Sequence, residues 1–138
     1  MSSWRRMITI ATVSIVVLLI PASAAWAVTQ FRAEFVKRYV KRESNDAKDK
    51  AFAELVDKAG CNICHLGDDR TKRNPYGQAL DKLLDRKTDA RNKEKIQKAL
   101  ETVEKQKANP DDPKSPTFGE RIKAGQLPYP VPPELMDK

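Results

Sequence analysis

Both cysteines of the chain and its only histidine lie within five consecutive positions, Cys61-Asn62-Ile63-Cys64-His65. Residues of these types can bind a metal ion, cycle between dithiol and disulfide, or attach a haem group, and the C-x-x-C-H order is the attachment signature of c-type haem. Cysteines three positions apart are one helical turn from each other, so their sulfur atoms project from one face and can bond to the two haem vinyl groups. His65 lies four positions after Cys61 on that face, where its imidazole can bind the iron.

Three other interpretations of these residues remain open. A thioredoxin-like C-x-x-C pair needs a βαβ setting, and the hydrophobic pattern of the chain predicts no strand. A zinc site needs four ligands, so a carboxylate or a water molecule would have to join Cys61, Cys64 and His65. A disulfide between the two cysteines would close a very short loop, which restrains the unfolded chain little. The motif therefore favours haem attachment.

The first 27 residues have the pattern of a secretory signal peptide. Arg5 and Arg6 precede an apolar run over 7–20, and Ala25-Trp26-Ala27 has the small residues of a cleavage site. The apolar run is short for a membrane span, which needs about 20 residues. We therefore expect an exported protein, periplasmic in a bacterium, and tethered to the membrane only if the segment stays uncleaved. Export fits covalent haem attachment, because the haem-maturation machinery works outside the cytoplasm.

Cleavage after Ala27 would leave residues 28–138 as one small domain. This part has 24 basic and 19 acidic residues, a net charge of +5, against +7 for the whole chain. Its few aromatic residues predict a thin core that would gain from an internal apolar ligand. Basic clusters over 37–42 and 86–95 can steer the protein toward acidic redox partners or serve only as soluble helix faces. Nothing in the sequence predicts a nucleic-acid partner.

Hydrophobic periodicity predicts an all-α fold of about four to five short helices. Within the N-terminal segment 28–45, a helix covers about 29–42, and a second helix over about 46–60 leads into the haem motif. A polar, basic loop is expected over 67–73. The tail over 126–138 is rich in proline and is expected to be extended.

Capping signals place the remaining helices. Asn74-Pro75 begins a third helix that extends to about 86. Thr88 or Asp89 caps a fourth helix that ends near Lys107. Thr117 with Glu120 has the capping-box pattern before a last short helix to Ala124.

The haem motif and the helix before it resemble the class I c-type cytochromes, whose N-terminal helix leads into C-x-x-C-H in the same way. Residues 73–80, Arg-Asn-Pro-Tyr-Gly-Gln-Ala-Leu, are also similar to a subgroup of small exported bacterial cytochromes, in which an Asn-x-aromatic-Gly step follows the motif. Together the two resemblances cover residues 50–84. They imply one covalent haem c linked through Cys61 and Cys64, with His65 as the proximal iron ligand. They also imply one-electron transfer between redox proteins.

The second axial ligand of the iron is not predicted by the resemblance. Many class I members supply a methionine well after the haem motif, and Met136 is the one methionine beyond the signal segment. Tyr76, a lysine or an open position are the alternatives to Met136. An open position would make the protein a five-coordinate haem protein that binds or senses a small gas. Without a distal histidine for peroxide cleavage, we do not expect an enzyme.

Two residues soon after the motif are candidate haem contacts. Arg73, with the neighbouring Arg70 and Lys72, can pair with the haem propionates, or the three can form a solvated basic loop. Tyr76 can pack on the porphyrin, where Gly77 permits close approach, or it can be an ordinary core residue.

Overall fold

The structure is a computed structural model that describes residues 23–136, with side chains from Gln30 onward. Its five α-helices are α1 (Ser23–Tyr39), α2 (Ala47–Ala59), α3 (Pro75–Asp81), α4 (Lys93–Glu104) and α5 (Phe118–Lys123). Short 3-10 helices cover Gly60–Ile63 and Pro133–Leu135, and one two-stranded antiparallel sheet joins β1 (His65–Leu66) to β2 (Asp69–Arg73). The prediction of a small, mostly helical fold is confirmed, whereas the prediction that the chain has no strand is wrong.

The segment predicted as a loop over 67–73 belongs to a β-hairpin. Gly67 and Asp68 form the turn, with Gly67 in the left-handed region at a φ of 73°. Leu66 pairs with Asp69, and His65 pairs with Arg73. The second strand is largely exposed and carries no alternating apolar residues, so it lacks the usual strand signal. The two-residue Gly-Asp pair was the available signal, because such a pair is typical of hairpin turns.

The connection between α3 and α4 is longer than predicted, because α3 ends before residue 86 and α4 begins after Asp89. The Asp89 carboxylate accepts hydrogen bonds from the backbone N–H of Asp85 at 2.8 Å and from Nζ of Lys95 at 2.6 Å. Asp89 is therefore a buried part of the connecting turn and not a helix cap. Asn92 caps α4 instead, accepting from the backbone N–H of Lys95 at 2.9 Å.

The residues that follow α4 pair with the residues at the start of α5 in a short antiparallel bridge. The carbonyl of Gln106 accepts from the backbone N–H of Phe118 at 3.0 Å, and Lys107 pairs with Thr117. These contacts replace the last predicted turn of α4, which ends at Glu104. The predicted capping box of Thr117 and Glu120 is confirmed, with bonds of 3.1 and 2.6 Å.

The tail after α5 differs in part from the extended segment that was predicted. Leu127 and Pro128 are buried, and the 3-10 helix Pro133–Leu135 interrupts the extended backbone. The tail therefore packs on the domain.

Helix α4 is central to the core, because it contacts α1, α3 and α5. Its buried face packs with an aromatic cluster in which Tyr76 meets Phe35 and Phe118 edge-on, with ring centroids 6.0 and 5.1 Å apart. Helix α1 is fastened to α4 by Tyr39, whose hydroxyl donates to Oε2 of Glu104 at 2.8 Å. This contact fixes the helix that contributes Phe35 to the core.

Most of the predicted signal segment, including the apolar run over 7–20, lies outside the described residues. The predicted cleavage position after Ala27 falls within α1. Between residues 23 and 136, no helix combines the length and the apolar character needed to cross a membrane.

Candidate cofactor site

Helix α2 ends at Ala59, so that only Gly60 separates it from the C-x-x-C-H motif. Asp46 caps the start of α2, accepting from the backbone N–H groups of Lys48 and Asp49 at 2.7 and 3.2 Å. The helix stops at Ala59 because Gly60 has a φ of 52° and a ψ of −121°, far from helical values.

The motif itself therefore runs through two kinds of backbone. Cys61 lies in a 3-10 turn, Cys64 ends that turn, and His65 begins a strand. The prediction that all three side chains share one α-helical face is wrong in this respect. The three residues nonetheless border the same cleft.

We call this apolar opening beside the motif the motif cleft. The empty space beside these residues, including the part open to solvent, is about 970 Å³. Helices α1, α3 and α4 supply five of its seven apolar side chains. The apolar side chains that line it are Phe31, Phe35, Ile63, Leu80, Leu84, Ile96 and Leu100.

The imidazole of His65, a residue that lines the cleft, has one polar atom without a partner. Its Nδ1 is buried and has no hydrogen-bond partner. Burial lowers the pKa of His65, and the Arg73 and Arg70 guanidinium groups lower it further, while the Lys72 and Arg70 carbonyls act in the opposite direction. A neutral imidazole with a free nitrogen has the protonation state that a metal ligand requires.

The two thiols are not joined in a disulfide in this structure. Burial, and then the neighbouring Cys61, raises the pKa of the Cys64 thiol to about 12. Cys64 is therefore a protonated thiol near neutral pH, unlike the activated thiolate of a thioredoxin-like pair. Within residues 30–136, no three His, Cys, Asp or Glu side chains are grouped so that they could hold one metal ion.

Asn74 is hydrogen-bonded both to the backbone of the motif and to the first turn of α3, and we call this set of bonds the Asn74 bracket. Its Nδ2 donates to the carbonyls of Asn62 at 3.1 Å and Ile63 at 2.9 Å, and its backbone N–H donates to the carbonyl of Cys64 at 3.0 Å. Its Oδ1 accepts from the backbone N–H of Gly77 at 2.9 Å and so caps α3. One buried side chain thus fixes both the motif and the first turn of α3.

Gly77 lies where the start of α3 meets the backbone of the motif. A Cβ at this position would overlap the carbonyl oxygen of Cys64 and would lie 2.9 Å from its carbonyl carbon and 3.2 Å from Cβ of Arg73. The Asn-x-aromatic-Gly step therefore matters here through its first and last residues, which let α3 dock directly on the backbone of the motif.

Four arginines line the motif cleft. Arg73 does so as predicted, and its guanidinium pairs with Asp81 at 3.0 Å. Arg70 and Arg86 are exposed, whereas Arg32 pairs with Asp57 at 3.3 Å and has a buried Nε without a partner. Arg32 and Arg86 were missed in the sequence, because helix periodicity and loop composition do not show which distant segments converge on one cleft.

Tyr76 and Met136 do not line the motif cleft. Tyr76 is fully buried in the aromatic cluster, as the core alternative predicts, although its hydroxyl has no hydrogen-bond partner. Met136 follows the 3-10 helix of the tail and is half-buried against the core. Just before it, the carbonyl of Leu135 accepts from Nδ2 of Asn62 at 2.7 Å. Asn62 is the one residue of the motif that does not line the cleft.

Comparison of this chain with protein-family models, with characterised proteins and with solved structures gives no match. The described residues therefore define a small, mostly helical protein in which a C-x-x-C-H motif borders an apolar cleft.

Proposed function

We propose that this protein attaches one haem c covalently and carries single electrons between protein partners outside the cytoplasm. The observation that carries the proposal is the motif cleft, which brings two free thiols and an imidazole with an unpartnered Nδ1 to the edge of one apolar space. A haem group needs this combination of covalent anchors, a nitrogen ligand and apolar walls.

The residues fit haem better than they fit a chelated metal ion. A tetrahedral zinc site needs ligands that converge on one point, whereas haem attachment needs the sulfurs at the porphyrin edge and the imidazole at the iron. Cys61, Cys64 and His65 border one cleft without grouping as ligands of a single ion. This arrangement supports haem over zinc.

Covalent attachment would use the thiols in their reduced, protonated form. Each thioether would form by addition of the S–H of Cys61 or Cys64 across a vinyl C=C bond, with the sulfur bonding to one carbon and the hydrogen going to the other. No leaving group is produced and no oxidant is consumed. Free cysteines and a protonated Cys64 thiol suit this chemistry.

Other residues would hold and shield the group. His65 would bind the iron through an imidazole nitrogen, and Arg70, Arg73 or Arg86 could pair with propionates. The apolar walls would exclude water, which stabilises haem burial and raises the reduction potential. When bound, the haem supplies a reversible one-electron couple at its iron.

Exposed basic side chains beside the cleft, Lys82, Arg86 and Lys87, form what we call the basic rim, and they favour an acidic redox partner. Arg86 lines both the motif cleft and the neighbouring depression, in which Lys82 and Lys87 are exposed. The acidic groups of that depression are partly engaged, since Asp89 is paired with Lys95. Exposed positive charge of this kind steers association with an acidic protein.

The proposal is tested with the full chain produced in a bacterial host that contains the haem-maturation machinery. We expect a purified protein whose haem survives denaturation and can be reduced and reoxidised repeatedly without loss. The double variant Cys61→Ala/Cys64→Ala should lose covalent haem. A protein that keeps no haem, or one whose haem cannot be cycled between two oxidation states, would contradict the proposal.

The partner class is tested by the salt dependence of electron exchange. With an acidic redox protein, the rate should fall steeply as ionic strength rises, because salt screens the attraction. Lys82→Glu/Lys87→Glu should weaken that dependence, while Lys50→Glu/Lys58→Glu on exposed positions of α2 is the control of equal charge change. Equal effects of the two pairs would contradict the basic rim as the docking surface.

A further inference from the structure

We infer that the residues lining the motif cleft leave one coordination position of a bound haem iron to an external neutral diatomic ligand, such as carbon monoxide or nitric oxide. This inference rests on the proposed haem attachment and names a second activity of the same site. It follows from the side chains that line the motif cleft and from the place of the tail.

Outside the motif, the described residues that line the cleft include no customary iron ligand. Haem iron in proteins is bound by histidine, methionine, cysteine or tyrosine side chains, and lysine also has a suitable lone pair. Apart from the motif itself, the described residues that line the cleft are aromatic, aliphatic, glycine, arginine or aspartate. Asp81, the one acidic residue among them, is paired with Arg73 at 3.0 Å.

The tail holds Met136 in a different place. The Leu135 carbonyl accepts from Nδ2 of Asn62 at 2.7 Å. The Leu135 side chain packs beside Gly67, because Cδ2 of Leu135 lies 3.6 Å from the place where a Cβ on Gly67 would be. Asn62 Oδ1 in turn accepts from the backbone N–H of Gly67 at 3.1 Å. The tail is therefore fastened to the residues of the motif turn and hairpin turn that do not line the cleft, and Met136 would have to break these contacts to reach the iron.

Tyr76 is also committed elsewhere. Its ring is enclosed between Phe35 and Phe118 and is fully buried. Burial raises the pKa of its hydroxyl well above the usual value, so the phenolate form that binds iron is disfavoured. Moving the ring out would open the centre of the core.

The chemistry of the walls selects the ligand class. The apolar lining outside the motif consists of Phe31, Phe35, Leu80, Leu84, Ile96 and Leu100. A charged ligand would lose its hydration there without compensation, whereas a small neutral molecule would not. Arg32 and Arg73 are paired with carboxylates and Arg70 and Arg86 are exposed, which leaves the unpartnered Nε of Arg32 as a single buried donor beside these apolar walls.

The test is spectroscopic and uses the full-length holoprotein, first checked for covalent haem under denaturing conditions. At pH 6 the ferric protein should show a high-spin spectrum. The ferrous protein should bind carbon monoxide with a large shift of its main absorption band. The volume-conserving variant Met136→Leu should leave both spectra and the carbon monoxide affinity unchanged.

Two results would overturn the inference while the proposed function stands. A low-spin ferric spectrum that becomes high-spin in Met136→Leu would identify Met136 as the second ligand. A low-spin spectrum that Met136→Leu does not change, with no binding of carbon monoxide, would identify another ligand from the chain. Failure of covalent attachment would be seen before any gas is added, and it would overturn both proposals.

Discussion

Replacing Asn74 with alanine should destabilise the protein by about 3 kcal/mol. Loss of the N-cap bond to Gly77 accounts for about 1 kcal/mol. Loss of the Nδ2 donor leaves the carbonyls of Asn62 and Ile63, at 3.1 and 2.9 Å, without this partner in a buried site, at about 1 kcal/mol each. The total is a large part of the roughly 5–15 kcal/mol by which domains are stable.

Asn92 offers a matched control within the same chain. It caps α4 through one bond of 2.9 Å to the backbone N–H of Lys95, and it is exposed. Asn92→Ala should therefore cost only the cap, about 1 kcal/mol. The difference between the losses of unfolding free energy in Asn74→Ala and Asn92→Ala therefore measures the bonds from Nδ2 of Asn74 to the motif backbone.

Aspartate at both positions separates the cap from the bracket. Asn and Asp are equally good N-caps, so Asn92→Asp should change stability little. Asn74→Asp keeps the acceptor for Gly77 but turns an oxygen toward the carbonyls of Asn62 and Ile63, so about 2 kcal/mol or more should still be lost. Urea unfolding followed by far-UV circular dichroism gives all four values. The reasoning is refuted if each substitution costs the same at Asn74 as at Asn92.

Three further predictions test other parts of the fold. Gly77→Ala should destabilise the protein by about 3 kcal/mol in urea unfolding, because the new Cβ overlaps the Cys64 carbonyl and backbone atoms must move. No loss of stability, or the gain of up to about 1 kcal/mol that alanine gives in an ordinary helix, would contradict the docking of α3. The Lys95 ammonium lowers the pKa of Asp89, so the stability that this carboxylate contributes is present above the usual aspartate pKa and is lost as the pH falls through the lower pKa of the folded state. The melting temperature of wild type should therefore exceed that of Asp89→Asn at pH 7, and the difference should shrink in acid. A difference that does not change with pH would count against the ion pair. Tyr39→Phe should lower stability by about 1 kcal/mol through loss of its bonds to α4, which hydrogen exchange in α1 should report, and unaltered exchange there would show that this contact does not fasten α1.

The residues with local signals were the predictable ones. The Asn74 cap and the Thr117 capping box could be read from sequence, because a capping side chain bonds to a backbone group two or three residues away. The helical fold class followed from apolar periodicity for the same local reason. The hairpin after His65 was missed because its strand is polar and exposed.

Contacts between distant segments were not predictable. Sequence spacing suggested that Tyr76 could touch a haem, but the structure buries it in the aromatic cluster with Phe35 and Phe118. Arg32 joins the motif cleft from a helix that lies about 30 residues before His65. Such positions depend on how α1 packs on α4, which no local pattern specifies.

The central claim is that Cys61 and Cys64 attach one haem, and intact-mass and peptide mass spectrometry of the exported chain test it most directly. After production with the haem-maturation machinery, the protein should carry the added mass of one haem on the peptide that contains residues 61–65. The Cys61→Ala/Cys64→Ala variant, secreted in the same host, should carry none. An exported wild-type chain of unmodified mass, or one in which the two cysteines form a disulfide, would contradict the account.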